Sequence, residues 1–149
     1  MVTSAEAAAM ATAADLAGSV VADFGPNPRV GCVLLDPDGT VISQGAHHGA
    51  GQPHAEVVAL RNAGERARGA TAVVTLEPCA HTGRTGPCTA ALISAGVRRV
   101  VFAVVDPNPA AAGGAQVLRE AGIDVEVDAS SSGANELNHR WSIAATRGR

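Results

Sequence analysis

The chain has no lysine and no tyrosine, and its aromatic side chains are limited to Phe24, Phe102 and Trp141. Proteins that grip nucleic acid use cationic grooves and aromatic platforms. A formal net charge of −3 with no run of like charge supplies neither, so polymeric nucleic acid is not the expected partner. Long apolar runs are missing as well. No stretch approaches the roughly 20 residues that a bilayer span requires, so no membrane association is expected. The Ala-rich opening, Met1 to Phe24, carries Glu6, Asp15 and Asp23 and no basic residue, unlike a secretory signal. It is expected to stay on a cytoplasmic protein. Cysteine is scarce and odd in number; three of them in a reducing compartment suggest metal ligands or buried thiols, not a disulfide framework. All eleven cations are Arg, whose planar fork suits phosphate wherever one faces a pocket.

The apolar content of 46% and charged content of 17%, with Gly and Pro scattered, fit a globular α/β protein. A length of 149 residues fits one domain able to bury a real core without help from a metal. Residues 4 to 22 are predicted helical, with Ser4 as cap, Glu6 in the first turn and Leu16, Val20 and Val21 in an apolar stripe. Phe24-Gly-Pro-Asn-Pro-Arg29 breaks that helix. Val30 to Leu35 and Thr40 to Ala46 form a hairpin across Asp36-Pro37-Asp38-Gly39. His54 to Arg66 has helical spacing, with Val57, Val58, Leu60 and Ala63 inward and Arg61, Glu65 and Arg66 outward. Ala70 to Leu76 is a buried strand and Cys88 to Ala95 a helix ended by Gly96. Val97 to Val105 is a strand, followed by a helix to about Ala121, a strand from Ile123 to Val127 and a helix from Ala134 to Ala145. Alternation of this kind favours a mixed, mostly parallel sheet with helices on both faces. Ligands of such sheets bind beyond the carboxyl ends of the strands.

Four residues carry the chemistry. His54-Ala55-Glu56 opens one helix, and Cys79 and Cys88 bracket a loop before another. One imidazole and two thiolates make a three-point zinc site whose fourth tetrahedral position stays open for water. Zinc lowers the pKa of its water to about 7, and a carboxylate two residues from the histidine can take that water's proton, pass it to a ring nitrogen and later protonate the departing amine. The outline is hydrolytic deamination. Zinc deaminases carry His-x-Glu followed by Pro-Cys-x-x-Cys; here the second half is stretched.

The stretch, together with Pro26-Asn-Pro-Arg-Val-Gly31, Gly45-Ala-His47, the loop from Thr75 through Cys88, and Asp106-Pro-Asn-Pro109, resembles the diaminohydroxyphosphoribosylaminopyrimidine deaminases of riboflavin biosynthesis, in the cytidine-deaminase-like superfamily. The resemblance runs from about Ala5 to the end. It implies a three-layer α/β/α fold around a five-stranded sheet, one zinc ion, and a phosphoribosylated diaminopyrimidine as substrate. It further implies that His54, Cys79 and Cys88 bind zinc, that Glu56 is the proton shuttle, that Asn27, His47 and His81 line the base pocket, that Arg84 meets phosphate or ribose, and that Asp106 and Asn108 approach the ribose. A homo-oligomer, dimer or tetramer, is expected. Two features depart from the family. The turn Ala110 to Ala115 lacks the basic residue often found there, and the reductase domain commonly fused to such deaminases is not expected within this chain. No Gly-x-Gly-x-x-Gly follows a strand, so no nicotinamide binding is expected.

Other readings of the same residues remain open. Asn27, Asp106 and Asn108 also suit turns, and Arg84 and His81 also suit a solvated loop. His47 and His48 alternate in direction, so at most one faces the site. Cys32, inside a strand, is expected to be buried and structural. A deaminase of another small base or nucleoside is the nearest alternative function. A zinc-stabilised interaction module is less favoured, because structural sites close with four ligands.

Overall fold

A computed structural model describes residues 1–22, 24, 28–49, 51–80, 88–105, 113–131 and 133–137. The elements in chain order are α1 (Ser4–Ser19), β1 (Gly31–Leu35), β2 (Val41–Ala46), α2 (Ala55–Ala63) running into a 3₁₀ turn, β3 (Thr71–Leu76), α3 (Cys88–Ser94), β4 (Arg99–Val104), α4 (Gly114–Glu120) and β5 (Asp124–Val127). Residues 133–137 add a helical turn or so; the rest of the helix predicted from Ala134 to Ala145 lies outside the described residues.

The strands form one sheet in the order β2-β1-β3-β4-β5. β1 is antiparallel to both β2 and β3, whereas β3, β4 and β5 pair in parallel, so β1 alone runs against the other four. The predicted hairpin and the mostly parallel sheet are both present. β1 and β3 are buried along their whole length because each lies between two strands and under helices on both faces. One face packs Cys32, Val74 and Phe102 under α2, α3 and α4; the other packs Val33, Val73 and Val101 under α1 and Ala134. Three α/β/α layers result. Cys32 is fully buried, as expected.

Two helix readings need correction. α1 is capped by Thr3, not Ser4: the Thr3 hydroxyl accepts from the Glu6 N–H while the Glu6 carboxylate accepts from the Thr3 N–H, a reciprocal capping box. The helix ends at Ser19, leaving Val21 almost wholly exposed, and the buried face is made by Ala9, Met10, Ala13, Ala14 and Ala17. In α2 the fully packed line is Ala55, Ala59 and Ala63, with Val57, Val58 and Leu60 only partly covered. Close approach explains the small residues. A Cβ at Gly45 of β2 would lie 2.7 Å from the Ala55 carbonyl oxygen and from the Ala59 nitrogen, so the backbones of β2 and α2 nearly touch. That contact sets the start of α2 over the carboxyl end of β2.

At the opposite rim, Arg99 opens β4 and gathers three segments. Its Nε donates to Glu6 Oε2 (2.7 Å), Nη2 donates to Glu6 Oε1 (3.0 Å) and to the Met1 carbonyl (2.9 Å), and Nη1 reaches Asp124 of β5. The guanidinium and Glu6 are both nearly buried. This clamp fixes the N-terminus of α1 to the sheet.

Candidate metal centre and active site

The carboxyl ends of β2 and β3 and the first turns of α2 and α3 converge on one spot. His54 is the N-cap of α2, and its side chain makes no capping bond. The imidazole is instead free to turn toward the two cysteines. Its Nδ1 lies 3.0 Å from Cys88 Sγ and 3.8 Å from Cys79 Sγ. Cys79 is the third residue after β3, and Cys88 begins α3; the Cys88 backbone N–H donates to Cys79 Sγ (3.3 Å). The three ligand atoms lie within 4.8 Å of one another. Tetrahedral zinc holds nitrogen at about 2.0 Å and sulfur at about 2.3 Å, so donors around one ion stand within this range. No fourth His, Cys, Asp or Glu joins the group among the described residues. The donor set fits zinc with one position left over.

The electrostatics point the same way. Two thiolates packed together repel, so without a cation between them only one ionises readily. The hydrogen bond from Cys88 brings Cys79 down to about 4, with His54 helping against the opposing effect of burial. The same bond, burial and the charge of Glu56 hold Cys88 far above the ordinary thiol range. Its hydrogen bond to Cys79 raises His54, against burial. A divalent cation resolves the conflict by displacing these protons, which is why such sites bind metal with proton release.

Glu56 sits in the first turn of α2 and is only 4% exposed. Burial raises its carboxyl above the usual range, opposed by its own backbone N–H, by His54 and by a hydrogen bond with the Cys88 thiol. The carboxyl therefore feels the charges of the ligand cluster without being counted in it. His47, directly after β2, is buried and its ring meets that of His54 edge-on, with centroids 5.6 Å apart. Nδ1 lies 3.1 Å from the Pro53 carbonyl oxygen, which can only accept, so Nδ1 carries the proton and Nε2 is left as an acceptor. Burial lowers its pKa, as do His54 and His48. His48 is exposed, whereas His47 turns inward beside His54.

Asn27, His81, Arg84, Asp106 and Asn108 lie outside the described residues, as does the start of the Ala110 to Ala115 turn. Three neighbours went unnoticed in the sequence. Phe24 packs against the far side of His47, and Arg29 lies 4.4 Å from the Phe24 ring centroid while donating to the Ala17 and Val20 carbonyls at the end of α1. Glu77, between β3 and Cys79, is buried, and its carboxylate accepts from the Ala115 N–H of α4. A carboxylate placed directly after six buried strand residues was the available signal.

Residues 3–104 match the cytidine and deoxycytidylate deaminase zinc-binding region. Over 114 residues the chain is 59% identical to the riboflavin biosynthesis protein RibD of Escherichia coli, an alignment that takes in 76% of this chain and 31% of that protein. RibD of Acinetobacter baumannii superposes with a TM-score of 0.90 at 50% identity, over 97% of this chain and 41% of that one. The Thermotoga maritima diaminohydroxyphosphoribosylaminopyrimidine deaminase/5-amino-6-(5-phosphoribosylamino)uracil reductase superposes equally well, with a TM-score of 0.90 at 36% identity over 97% of this chain and 42% of that one. The chain thus spans well under half the length of these relatives. Among the described residues no helix is long and apolar enough to cross a membrane. With more than half its length matched by the family's zinc-binding region, and with that region's donor set assembled, the chain belongs to the cytidine and deoxycytidylate deaminase zinc-binding family.

Proposed function

We propose that the chain is a single zinc-dependent deaminase domain that converts 2,5-diamino-6-ribosylamino-4(3H)-pyrimidinone 5′-phosphate to 5-amino-6-(5-phosphoribosylamino)uracil, consuming water and releasing ammonia. The observation that carries the reading is a buried carboxyl, Glu56, against a three-donor cluster of His54, Cys79 and Cys88. Identity of 59% to the Escherichia coli RibD supports the choice of substrate.

Zinc held by these three residues supplies Lewis acidity that activates water at neutral pH. The remaining work falls to the chain. Glu56 accepts a proton from the attacking water and returns it to the ring nitrogen beside the reacting carbon; it then takes the second proton from the hydroxyl now on that carbon and delivers it to the amine, so that C=O forms as the C–N bond breaks and ammonia leaves. A raised carboxyl pKa suits a group that must alternate between base and acid. His47, neutral because burial disfavours its charged form, offers Nε2 as an acceptor for an N–H of the pyrimidine. Its packing between Phe24 and His54 limits its freedom to turn. Asn27 and His81 would recognise the base, Arg84 the phosphate, and Asp106 and Asn108 the ribose. The same reading makes the protein a cytoplasmic homo-oligomer, dimer or tetramer, which sedimentation would check.

The deciding experiment measures ammonia release by zinc-loaded protein from the diaminopyrimidine ribotide, cytidine and guanine in parallel. Turnover is expected with the ribotide alone. Turnover of cytidine or guanine without the ribotide would remove the substrate assignment.

A further inference from the structure

Glu77 joins the metal-ligand loop to a helix that supplies no ligand. Its backbone N–H donates to the Val104 carbonyl (2.8 Å), extending the β3–β4 pairing by one residue beyond the strand. Its side-chain Oε2 accepts from the Ala115 N–H in the first turn of α4 (3.0 Å). The next residue is pressed against the same turn: a Cβ at Gly114 would sit 1.8 Å from the Pro78 carbonyl oxygen, so only glycine lets the two backbones meet. Cys79 comes immediately after. Its own carbonyl accepts from Thr89 of α3 and its sulfur from the Cys88 N–H. The two-residue lever from Glu77 to Cys79 has little slack, because Pro78 fixes its own φ and keeps Glu77 extended. Movement of Glu77 is therefore passed on to the Cys79 sulfur, whose distance to zinc tolerates only about 0.2 Å.

We infer that Glu77, acting with Gly114, is a positioning residue for the metal centre: by tying the start of α4 to the strand end, it sets where Cys79 presents its thiolate. The inference rests on the reading of His54, Cys79 and Cys88 as the zinc site. Removing the carboxylate orphans the Ala115 N–H and frees the loop from α4. Outer partners of metal ligands change metal affinity by about 10–100-fold when removed.

The test is the rate of zinc release from the whole, zinc-loaded chain to a chromogenic chelator, with the thermal midpoint of the metal-free protein measured alongside. Glu77→Ala is expected to release zinc about 10-fold faster or more. Glu77→Gln, which keeps an oxygen for the Ala115 N–H, is expected to stay within about threefold of the parent. Gly114→Ala leaves Glu77 intact but drives a methyl into the Pro78 carbonyl, and is expected to accelerate release in the same direction; it stands in should Glu77→Ala not fold. A lower midpoint with unchanged release in Glu77→Ala, or in Gly114→Ala when the first does not fold, makes the contact merely structural and overturns the inference. Release by Glu77→Gln as fast as by Glu77→Ala overturns it too. A parent that binds no zinc defeats the metal reading itself, whereas a parent that binds one ion and variants that hold it equally well defeat only the role of Glu77.

Discussion

Replacing Glu56 with Gln separates the proposed proton shuttle from everything else the residue does. The amide has nearly the same shape, so the packing of the first turn of α2 should survive. The three donor atoms that lie within 4.8 Å of one another exclude this carboxyl, so zinc should remain. What disappears is the ability to take and return a proton. A positioned acid–base group is worth about 10²–10⁴ in rate. Because Glu56 is only 4% exposed, bulk water has poor access to stand in for it, and the loss should fall at the upper end, about 10⁴ or roughly 5 kcal/mol of barrier. Stability should move the other way. A carboxyl whose pKa is raised on folding costs folding free energy at every pH above its unfolded value, because the buried site disfavours the charge the unfolded chain carries freely. A neutral amide does not carry that cost. The metal-free variant is therefore expected to melt at or above the temperature of the metal-free parent at pH 7. Steady-state ammonia release, zinc content and a thermal melt on one preparation decide the matter. Activity within tenfold of the parent at full zinc occupancy would refute the shuttle, and a clearly lower melting point would refute the claim that the carboxyl is held there against its own solvation.

Two further outcomes follow from the other rim and from the third ligand. Cys88→Ala keeps the backbone N–H that donates to Cys79 Sγ but removes a donor atom, so zinc content by elemental analysis should fall far below one ion per chain; full occupancy would mean that a different third ligand is used. Arg99→Met should cost about 3–5 kcal/mol in urea unfolding, the usual penalty for stranding a buried carboxylate, with the mostly exposed Asp124 adding little. Adding Glu6→Gln should recover much of that loss. Burial pushes the Glu6 carboxyl up, but Arg99 and Thr3 together outweigh it and hold it below the usual range. A lowered pKa contributes stability that is complete above the unfolded value and lost as pH falls through the folded one, so the parent should weaken below about pH 4. The Arg99→Met protein should lack most of that acid dependence; an unchanged profile would count against the clamp.

The order of strands and helices was legible because periodicity and breakers act locally: Pro37 and Gly39 turn the hairpin, and Gly96 ends α3, whatever lies around them. Element edges were less legible. Thr3 and Ser4 are both capping types, and only the reciprocal bond between Thr3 and Glu6 distinguishes them. The inner faces of α1 and α2 were misjudged for a different reason. Large apolar residues normally mark the buried side, yet here the helices lie so close to the sheet that alanine faces it and Leu16, Val57 and Leu60 are displaced to the flanks.

The metal site was legible for the reason that Glu77 was not. His, Cys and Cys beside a Glu two residues from the His are side chains with few other reasons to occur together, so their types point to a metal site before any geometry is known. Glu77, Arg29 and Arg99 are ordinary charged residues whose meaning comes only from what the fold brings to them: the Ala115 N–H, the open carbonyls of α1 and the buried Glu6. Holding a site to within a fraction of an ångström depends on such partners as much as on the ligands. In this chain the ligands stand at the carboxyl ends of the strands and the Arg99 clamp at the amino ends, so α1 is fastened to the sheet at a distance from the reacting groups. The rim that carries the metal donors is left to accommodate a buried carboxyl and two crowded thiols that folding alone would disfavour.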